Sequence, residues 1–197
     1  MIKALKNKLP DKAVKKIIEI LKKGGIIAFP TDTVYGIAAD PNILKAVKKL
    51  FWIKKRALRK AIPILISSKS VLKKVVKKVT VSARILTDKY WPGALTIILP
   101  KSRLIPSFVT KGSKNVAIRI PDNKIALQII KAAGGMLAVT SANISGKKEA
   151  TSAIQLKGLK GIDLIIDGGK ARIGKASTIV DLSGRKPQVL RQGSVRV

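Results

Sequence analysis

The stretch Ile-Ile-Ala-Phe-Pro-Thr-Asp-Thr-Val-Tyr-Gly, residues 26–36, decides how this chain is interpreted. Its first four residues are apolar and follow a glycine pair, a pattern typical of a buried strand. The last seven bring two hydroxyls, a carboxylate and a phenol to the end of that strand, where open α/β sheets bind ligands. The stretch therefore predicts a small-molecule site, although a Pro-initiated turn with polar caps remains an alternative for residues 30–36 alone.

Three further polar clusters follow in a fixed order. Residues 54–56 are Lys-Lys-Arg, Arg119 ends the apolar run 116–118, and Thr-Ser-Ala-Asn-Ile-Ser-Gly, residues 140–146, follows the apolar run 137–139. A single Lys-x-Arg triplet is not evidence for a functional site in a chain this rich in lysine. The evidence is that all the clusters occur together, in this order and at domain-scale spacing.

Together these residues resemble the YrdC-like family of threonylcarbamoyl-AMP synthases, whose pattern is a PTDTVYG loop, a K-x-R motif and an S-x-N motif. The resemblance covers nearly the whole chain and extends to residues 91–93, 177–181 and 190–193. It implies a minimal, single-domain synthase that makes L-threonylcarbamoyl-AMP from L-threonine, bicarbonate and ATP and releases pyrophosphate. This reaction is the first step of threonylcarbamoyladenosine tRNA modification. Two positions depart from the pattern: Ala57 replaces a common proline, and Leu65 replaces a polar residue or histidine.

The resemblance also implies a set of site residues. Lys54 and Arg56 would be the catalytic cations, because fixed cations stabilise charge that builds on phosphoryl oxygens. The residues implied to hold threonine and bicarbonate are Thr33, Tyr35, Arg119, Ser141 and Ser177. The residues implied to hold the nucleotide are Arg56, Lys60, Asn115, Asn143, Thr151 and Arg191. No residue is predicted to bind a metal, and Mg²⁺ is expected to be held mainly by the ATP phosphates.

Arg119 can also be interpreted from its own surroundings. It leaves a strand between apolar neighbours, where its charge would be costly without an anionic partner. The carboxylate of threonine or bicarbonate is one candidate partner. A structural salt bridge to a carboxylate such as Asp122 is the other.

The amino-acid composition excludes several classes of enzyme. The chain has 197 residues and neither cysteine nor histidine, which excludes disulfides, Cys-His nucleophiles, Ser-His-Asp hydrolases and typical zinc enzymes. Its ten carboxylates are scattered, without the close pair that a glycosidase or a metal cage needs. Lysine, arginine, hydroxyls and backbone amides remain. These groups suit anionic substrates and catalysis by positioning.

The formal net charge of +31 favours contact with polyanions, chiefly tRNA or other RNA, through a basic surface. Host composition or a hot habitat would also produce a lysine-rich surface, so charge alone does not identify the partner. Phe29, Phe51 and Trp52 are expected in the core, so the sequence predicts no dedicated base-stacking platform. A downstream threonylcarbamoyl transferase complex is a partner that only the resemblance implies.

Helical and strand patterns alternate along the chain. Helices are predicted over 11–23, 43–52, 69–78, 82–90 and 123–133, and strands over 26–29, 62–66, 95–99, 116–120, 137–140, 164–166, 178–182 and 188–190. This order predicts an α/β fold, a single domain over 1–197 with a twisted mixed sheet and flanking helices. The family resemblance adds a positively charged groove. Without an apolar run near ~18 residues or a signal-peptide core, we expect a soluble, cytoplasmic protein and no membrane contact.

Two other functions remain open from the sequence. A non-catalytic RNA-binding module in tRNA or rRNA maturation would explain the charge but not the ordered hydroxyl and arginine clusters. A carbamoyl-transfer domain of the hydrogenase-maturation type would share the fold, although such domains sit inside much longer, cysteine-rich chains. Pyrophosphate release that needs both threonine and bicarbonate would identify the synthase.

Overall fold

A mixed sheet with helices packed on it organises the chain, and the computed structural model describes residues 1–4, 8–55 and 61–197. The strands among these residues are β1 (Ile2–Lys3), β2 (Ile27–Phe29), β3 (Gly36–Ala39), β4 (Ile64–Ile66), β5 (Leu95–Pro100), β6 (Asn115–Arg119), β7 (Met136–Ser141), β8 (Leu164–Asp167), β9 (Thr178–Asp181) and β10 (Gln188–Arg191). The helices are α1 (Asp11–Lys22), α2 (Leu44–Ile53), α3 (Lys69–Val75), α4 (Val81–Tyr90), α5 (Ser107–Thr110) and α6 (Lys124–Ala132), with a 3₁₀ turn at Ala153–Leu156.

The strands of the described residues join in the order β1-β8-β2-β3-β7-β4-β6-β5-β9-β10. Strand β8 runs parallel to β1 and to β2, and the pairs β4–β6 and β5–β9 are also parallel. The other neighbours are antiparallel. The predicted α/β fold with a mixed sheet is confirmed.

Strand β2 shows how the sheet builds two cores. Ile27 and Phe29 pack in a cluster with residues of α1 and α6, whereas Ala28 packs in the cluster that contains the buried side of α2. Successive side chains of a strand point to opposite faces, and both faces of β2 are covered. This explains why residues 26–29 form an uninterrupted apolar run.

Strand β2 turns back into β3, and this connection places the polar stretch. Phe29 pairs with Gly36 in antiparallel register, so residues 30–35 form the loop between the two strands. At Gly36 an added Cβ would lie 2.7 Å from a methyl carbon of Val139 on the next strand. The glycine therefore permits the close approach of β3 to β7.

The structure adds elements that the patterns do not predict, namely β1, β3, α5 and the 3₁₀ turn. It also corrects the expectation for Trp52, which is 64% exposed instead of lying in the core. The buried stripe of α2 includes Val47, Leu50 and Phe51, and the next residue is rotated by about 100°. No helix of the described residues is long and apolar enough to cross a membrane.

Candidate functional site

A cavity of about 160 Å³ lies where the loop 30–35 meets the ends of several strands. Arg119 stands at the end of β6, Ser141 at the end of β7 and Arg191 at the end of β10. The predicted site residues that line this cavity are Thr33, Tyr35, Arg119, Ser141, Ser177 and Arg191. The fold therefore brings six predicted residues together from distant parts of the chain.

Arg119 is bonded on several sides, and its anionic partner in the protein is Asp32. The Nε atom donates to Gly93 O at 2.8 Å, Nη1 to Thr33 Oγ1 at 2.8 Å, and Nη2 to Asp32 Oδ1 at 2.5 Å. The alternative of a structural salt bridge to a carboxylate is therefore confirmed, but the carboxylate is that of Asp32 and not that of Asp122. Asp122 instead pairs with Arg172, and both of these side chains are exposed. A contact between Arg119 and a substrate carboxylate stays a prediction.

The ion pair between Arg119 and Asp32 is buried, with side-chain exposures of 7% and 0%. Burial lowers the pKa of Arg119, and the nearby carboxylate of Asp32 opposes that shift. Oδ1 of Asp32 also accepts the backbone N–H of Asp122 at 3.1 Å, while its buried Oδ2 has no partner among the described residues. A guanidinium has five N–H donors, so two remain for a ligand beyond the three bonds described.

The loop 30–35 is held by its own hydroxyls as well as by Arg119. Thr31 Oγ1 donates to Val34 O at 2.6 Å and accepts the backbone N–H groups of Thr33 and Val34 at 3.2 and 3.3 Å. The hydroxyls of Thr31 and Thr33 lie 3.0 Å apart. The loop is therefore a hydroxyl-capped turn, and the same turn lines the cavity.

Tyr35 is fully buried, and its hydroxyl is used within the fold. It donates to Gly169 O at 2.7 Å and accepts the backbone N–H of Gly168 at 3.2 Å. Burial raises the pKa of Tyr35 to about 12, so the phenol stays protonated near neutral pH. Residues 168 and 169 do not line the cavity. A role of the Tyr35 hydroxyl toward the amino acid stays a prediction.

Lys54 joins the K-x-R motif to the S-x-N motif. It follows the last residue of α2, is only 4% exposed, and its Nζ donates to Ser141 O at 2.8 Å, Ser141 Oγ at 3.1 Å and Asn143 Oδ1 at 2.5 Å. Ser141 Oγ in turn donates to Asn143 Oδ1 at 2.8 Å. This arrangement fixes both side chains beside a buried ammonium. Arg56 and Lys60 lie outside the described residues.

Ser177 and Arg191 form the opposite wall. Arg191 Nε and Nη2 donate to Ser177 O at 3.0 and 2.8 Å, and the Ser177 hydroxyl lies 2.8 Å from that of Thr96. Desolvation lowers the pKa of Arg191, and the charge of Glu149 opposes that shift. Two guanidinium groups thus border one small cavity.

Three residues implied to hold the nucleotide do not line this cavity. Asn143 lines a neighbouring cavity of about 330 Å³. The backbone N–H of Thr151 donates to Gln155 Oε1 at 2.7 Å. Asn115 begins β6, bonded to Ser183 Oγ at 2.8 Å, and a five-residue strand separates it from Arg119 by about 13 Å.

Glu149 and the pairing of Asp32 with Arg119 are not predicted from the sequence. Glu149 lines both cavities and is the one carboxylate among the described residues that line the first. Its acidic character in the basic segment that begins at Lys147 was the available signal. Asp32 was visible in the loop, but its partner lies 87 residues away. In the part of the chain that the structure describes, no three acidic residues are grouped closely enough to hold a metal ion.

A family model described as telomere recombination, Sua5/YciO/YrdC, matches residues 19–193. The chain belongs to this family. The threonylcarbamoyl-AMP synthase of Pyrococcus abyssi is 37% identical to it over 193 residues, which are 97% of this chain and 57% of the relative. A Methanocaldococcus jannaschii relative is 38% identical and covers 98% of this chain and 96% of its own length.

A solved structure gives the same relationship in three dimensions. The crystal structure of P. abyssi Sua5 complexed with L-threonine superposes with a TM-score of 0.90 at 36% identity, over 98% of this chain and 56% of that chain. The single α/β domain seen here therefore corresponds to little more than half of that protein.

Proposed function

We propose that this family member is a threonylcarbamoyl-AMP synthase, which joins L-threonine, bicarbonate and ATP into L-threonylcarbamoyl-AMP and releases pyrophosphate. The observation that carries this proposal is the convergence of Thr33, Arg119 and Ser141 on one cavity. The name of the P. abyssi relative and the threonine in its crystal structure support it. The chain spans about half of that relative, so its substrates are part of the proposal.

Threonine is a zwitterion, and the cavity offers groups of both charges. The two remaining N–H donors of Arg119 suit the carboxylate, since a planar guanidinium binds a carboxylate well. Glu149 suits the ammonium, and its carboxylate can take the proton that the amine must lose before it attacks the bicarbonate carbon. As the C–N bond forms, the C–OH bond of bicarbonate breaks, and the hydroxide takes the second proton of the nitrogen and leaves as water, which gives the carbamate of threonine. The hydroxyls of Thr33 and Ser141 would bind polar groups of the amino acid, and Ser177 would do so from the opposite wall of the cavity.

Adenylation then joins the carbamate to the nucleotide. A carbamate oxygen attacks the α-phosphorus, the bond to the β-phosphate oxygen breaks, and pyrophosphate leaves with the electron pair. Lys54 holds Ser141 and Asn143 in place and supplies positive charge, and Arg56 would stabilise the phosphoryl oxygens. Lys60, Asn115, Asn143, Thr151 and Arg191 complete the proposed nucleotide contacts.

The remaining parts of the proposal concern cofactor, partners and location. Mg²⁺ would enter with ATP and be held mainly by the phosphates. We also propose that the protein contacts tRNA or other RNA and passes threonylcarbamoyl-AMP to a threonylcarbamoyl transferase complex. Its proposed location is the cytoplasm.

The activity has a direct test. Pyrophosphate should form from ATP only when threonine and bicarbonate are both present, and without any tRNA. Pyrophosphate is measured with each substrate omitted in turn. Equal ATP turnover without threonine would contradict the synthase and favour another carbamoyl-transfer reaction. No turnover together with RNA binding would favour the non-catalytic module.

Substrate choice gives a second test. Serine lacks one methyl group of threonine, and one methyl in a pocket is worth ~1–3 kcal/mol. We therefore expect kcat/KM for threonine to exceed that for serine by roughly 10- to 200-fold. Equal efficiencies, measured by pyrophosphate release, would mean that the cavity does not enclose the side chain.

A further inference from the structure

A second concave surface lies beside the C-terminal end of α2. This groove, of about 850 Å³, shares no lining residue with the 160 Å³ cavity among the described residues. It adjoins the 330 Å³ cavity through Ile144, Gly158 and Leu159, which line both. Its lining includes Phe51, Trp52, Ile144, Lys48, Lys111 and Lys160. The groove is larger than either cavity, and the proposed synthesis of threonylcarbamoyl-AMP does not use it.

Trp52 is the notable side chain of this groove. Its 64% exposure contrasts with the 3% exposure of its neighbour Phe51. The Trp52 ring also packs against the backbone of Gly161, where an added Cβ would lie 2.7 Å from the ring carbon Cζ3. Gly161 has a φ of +92°, a conformation that glycine adopts readily. The indole is therefore supported from one side and available to solvent over most of its surface.

The groove combines this ring with positive charge. Lys48, Lys111 and Lys160 are exposed, and Lys111 Nζ lies 4.3 Å from the centroid of the Phe51 ring. No acidic residue is found among the described residues that line the groove. An aromatic platform beside cations matches a strand of nucleotides, because bases stack on aromatic rings while lysines contact the phosphates.

We propose that this groove binds single-stranded nucleic acid, with one base stacked on Trp52. The ligand class follows from the pairing of ring and charge. An acidic peptide would use the lysines but would leave the indole exposed. The groove gives a location to the RNA contact that is part of the proposed function, and on that part alone the proposal rests; it does not depend on the synthase activity.

Tryptophan fluorescence provides the test, because the chain has two tryptophans and they differ in environment. Trp91 is 5% exposed and its Nε1 donates to Leu95 O. We expect twelve-nucleotide oligoadenylate RNA, added at low salt, to quench Trp52, and the quenching to disappear in Trp52→Ala. The affinity of Trp52→Ala, measured by anisotropy of labelled RNA, should fall about tenfold, within the range for one stacked base. Trp52→Phe should restore most of it.

Two charge-matched double variants distinguish RNA binding in the groove from attraction by the overall positive charge of the protein. Lys48→Ala/Lys160→Ala and Lys12→Ala/Lys16→Ala each remove two exposed lysines, the second pair from α1. Substitution of the groove pair should weaken RNA binding several-fold more than substitution of the α1 pair. Equal losses, or unchanged affinity in Trp52→Ala, would overturn the proposal.

Competition against the labelled RNA identifies the class of ligand that the groove binds. DNA of the same sequence should compete, because stacking and phosphate contacts are common to both nucleic acids. Polyglutamate that competes equally, or ATP alone that quenches Trp52 and displaces RNA, would overturn the proposal in favour of a general anion surface or of the nucleotide substrate. Pyrophosphate release by the same preparation is a separate result, so failure of the synthase activity would leave the RNA result standing.

Discussion

Arg119→Ala is expected to abolish threonine-dependent pyrophosphate release or to raise the KM for threonine on the order of 10²–10³-fold, the usual consequence of truncating a buried partner of a charged group. ATP affinity, measured alone by calorimetry, should stay largely intact. The reason is that Arg119 has two N–H donors left for a carboxylate after its bonds to Gly93, Thr33 and Asp32. A collapse of ATP affinity with an unchanged threonine requirement would place Arg119 on the phosphates instead.

Stability must be separated from binding in this experiment. Removing Arg119 alone leaves Asp32 as a buried, unpaired charge, which typically costs about 3–5 kcal/mol. The double variant Arg119→Met/Asp32→Leu removes both charges, and such replacements are often close to neutral in stability. Thermal unfolding checks the fold of each variant. A folded double variant with the wild-type KM for threonine would contradict the proposed role.

Lys54→Met is expected to lower kcat by roughly 10²–10³-fold, because it removes a fixed positive charge beside the site, and preorganised electrostatic stabilisation typically contributes that much. The three N–H donors of the ammonium are bonded to Ser141 and Asn143, so Lys54 acts through its charge and by positioning these residues. The substitution also releases Ser141 and Asn143 from the ammonium that holds them. Lys55→Ala is the matched control, since the neighbouring Lys55 is exposed. The initial rate of pyrophosphate release is measured for both.

The same comparison extends to the other motif cation. Arg56→Ala should reduce the rate far more than Lys55→Ala, since Arg56 occupies the K-x-R arginine position and Lys55 does not. Similar rates in Lys54→Met, Arg56→Ala and Lys55→Ala would mean that the cluster is only a charged surface.

The sequence predicts those parts of the fold that depend on local pattern. Strand β2 was predicted because its residues are uniformly apolar and follow a glycine pair, and helix α1 because its apolar residues recur with helical spacing. Strand β3, Gly-Ile-Ala-Ala, is also apolar, but glycine and alanine are depleted in strands, so its residue types do not predict one. It is a strand because the loop 30–35 returns the chain against β2 and because β7 pairs with its other edge.

The candidate site also has one part that the sequence predicts and one part that it does not. Motif order identified six residues that line the cavity, because strand ends collect at a common edge. The partner of Arg119 could not be predicted, since 87 residues separate it from Asp32 and Asp122 is much nearer in sequence. Trp52 was misplaced in the core on residue type, whereas its position next to Phe51 on a one-sided helix indicated exposure.

Strand β10 connects substrate binding to local stability. It lies at the end of the sheet order, its described pairing is with β9, and its four residues are exposed. Edge segments with few buried contacts open at a lower free energy than the core of a sheet. Opening of β10 would withdraw Arg191 from the cavity while the central strands stay folded. A ligand that contacts Arg191 therefore stabilises this strand against local unfolding, and the strength of β10 pairing sets part of the ligand's apparent affinity.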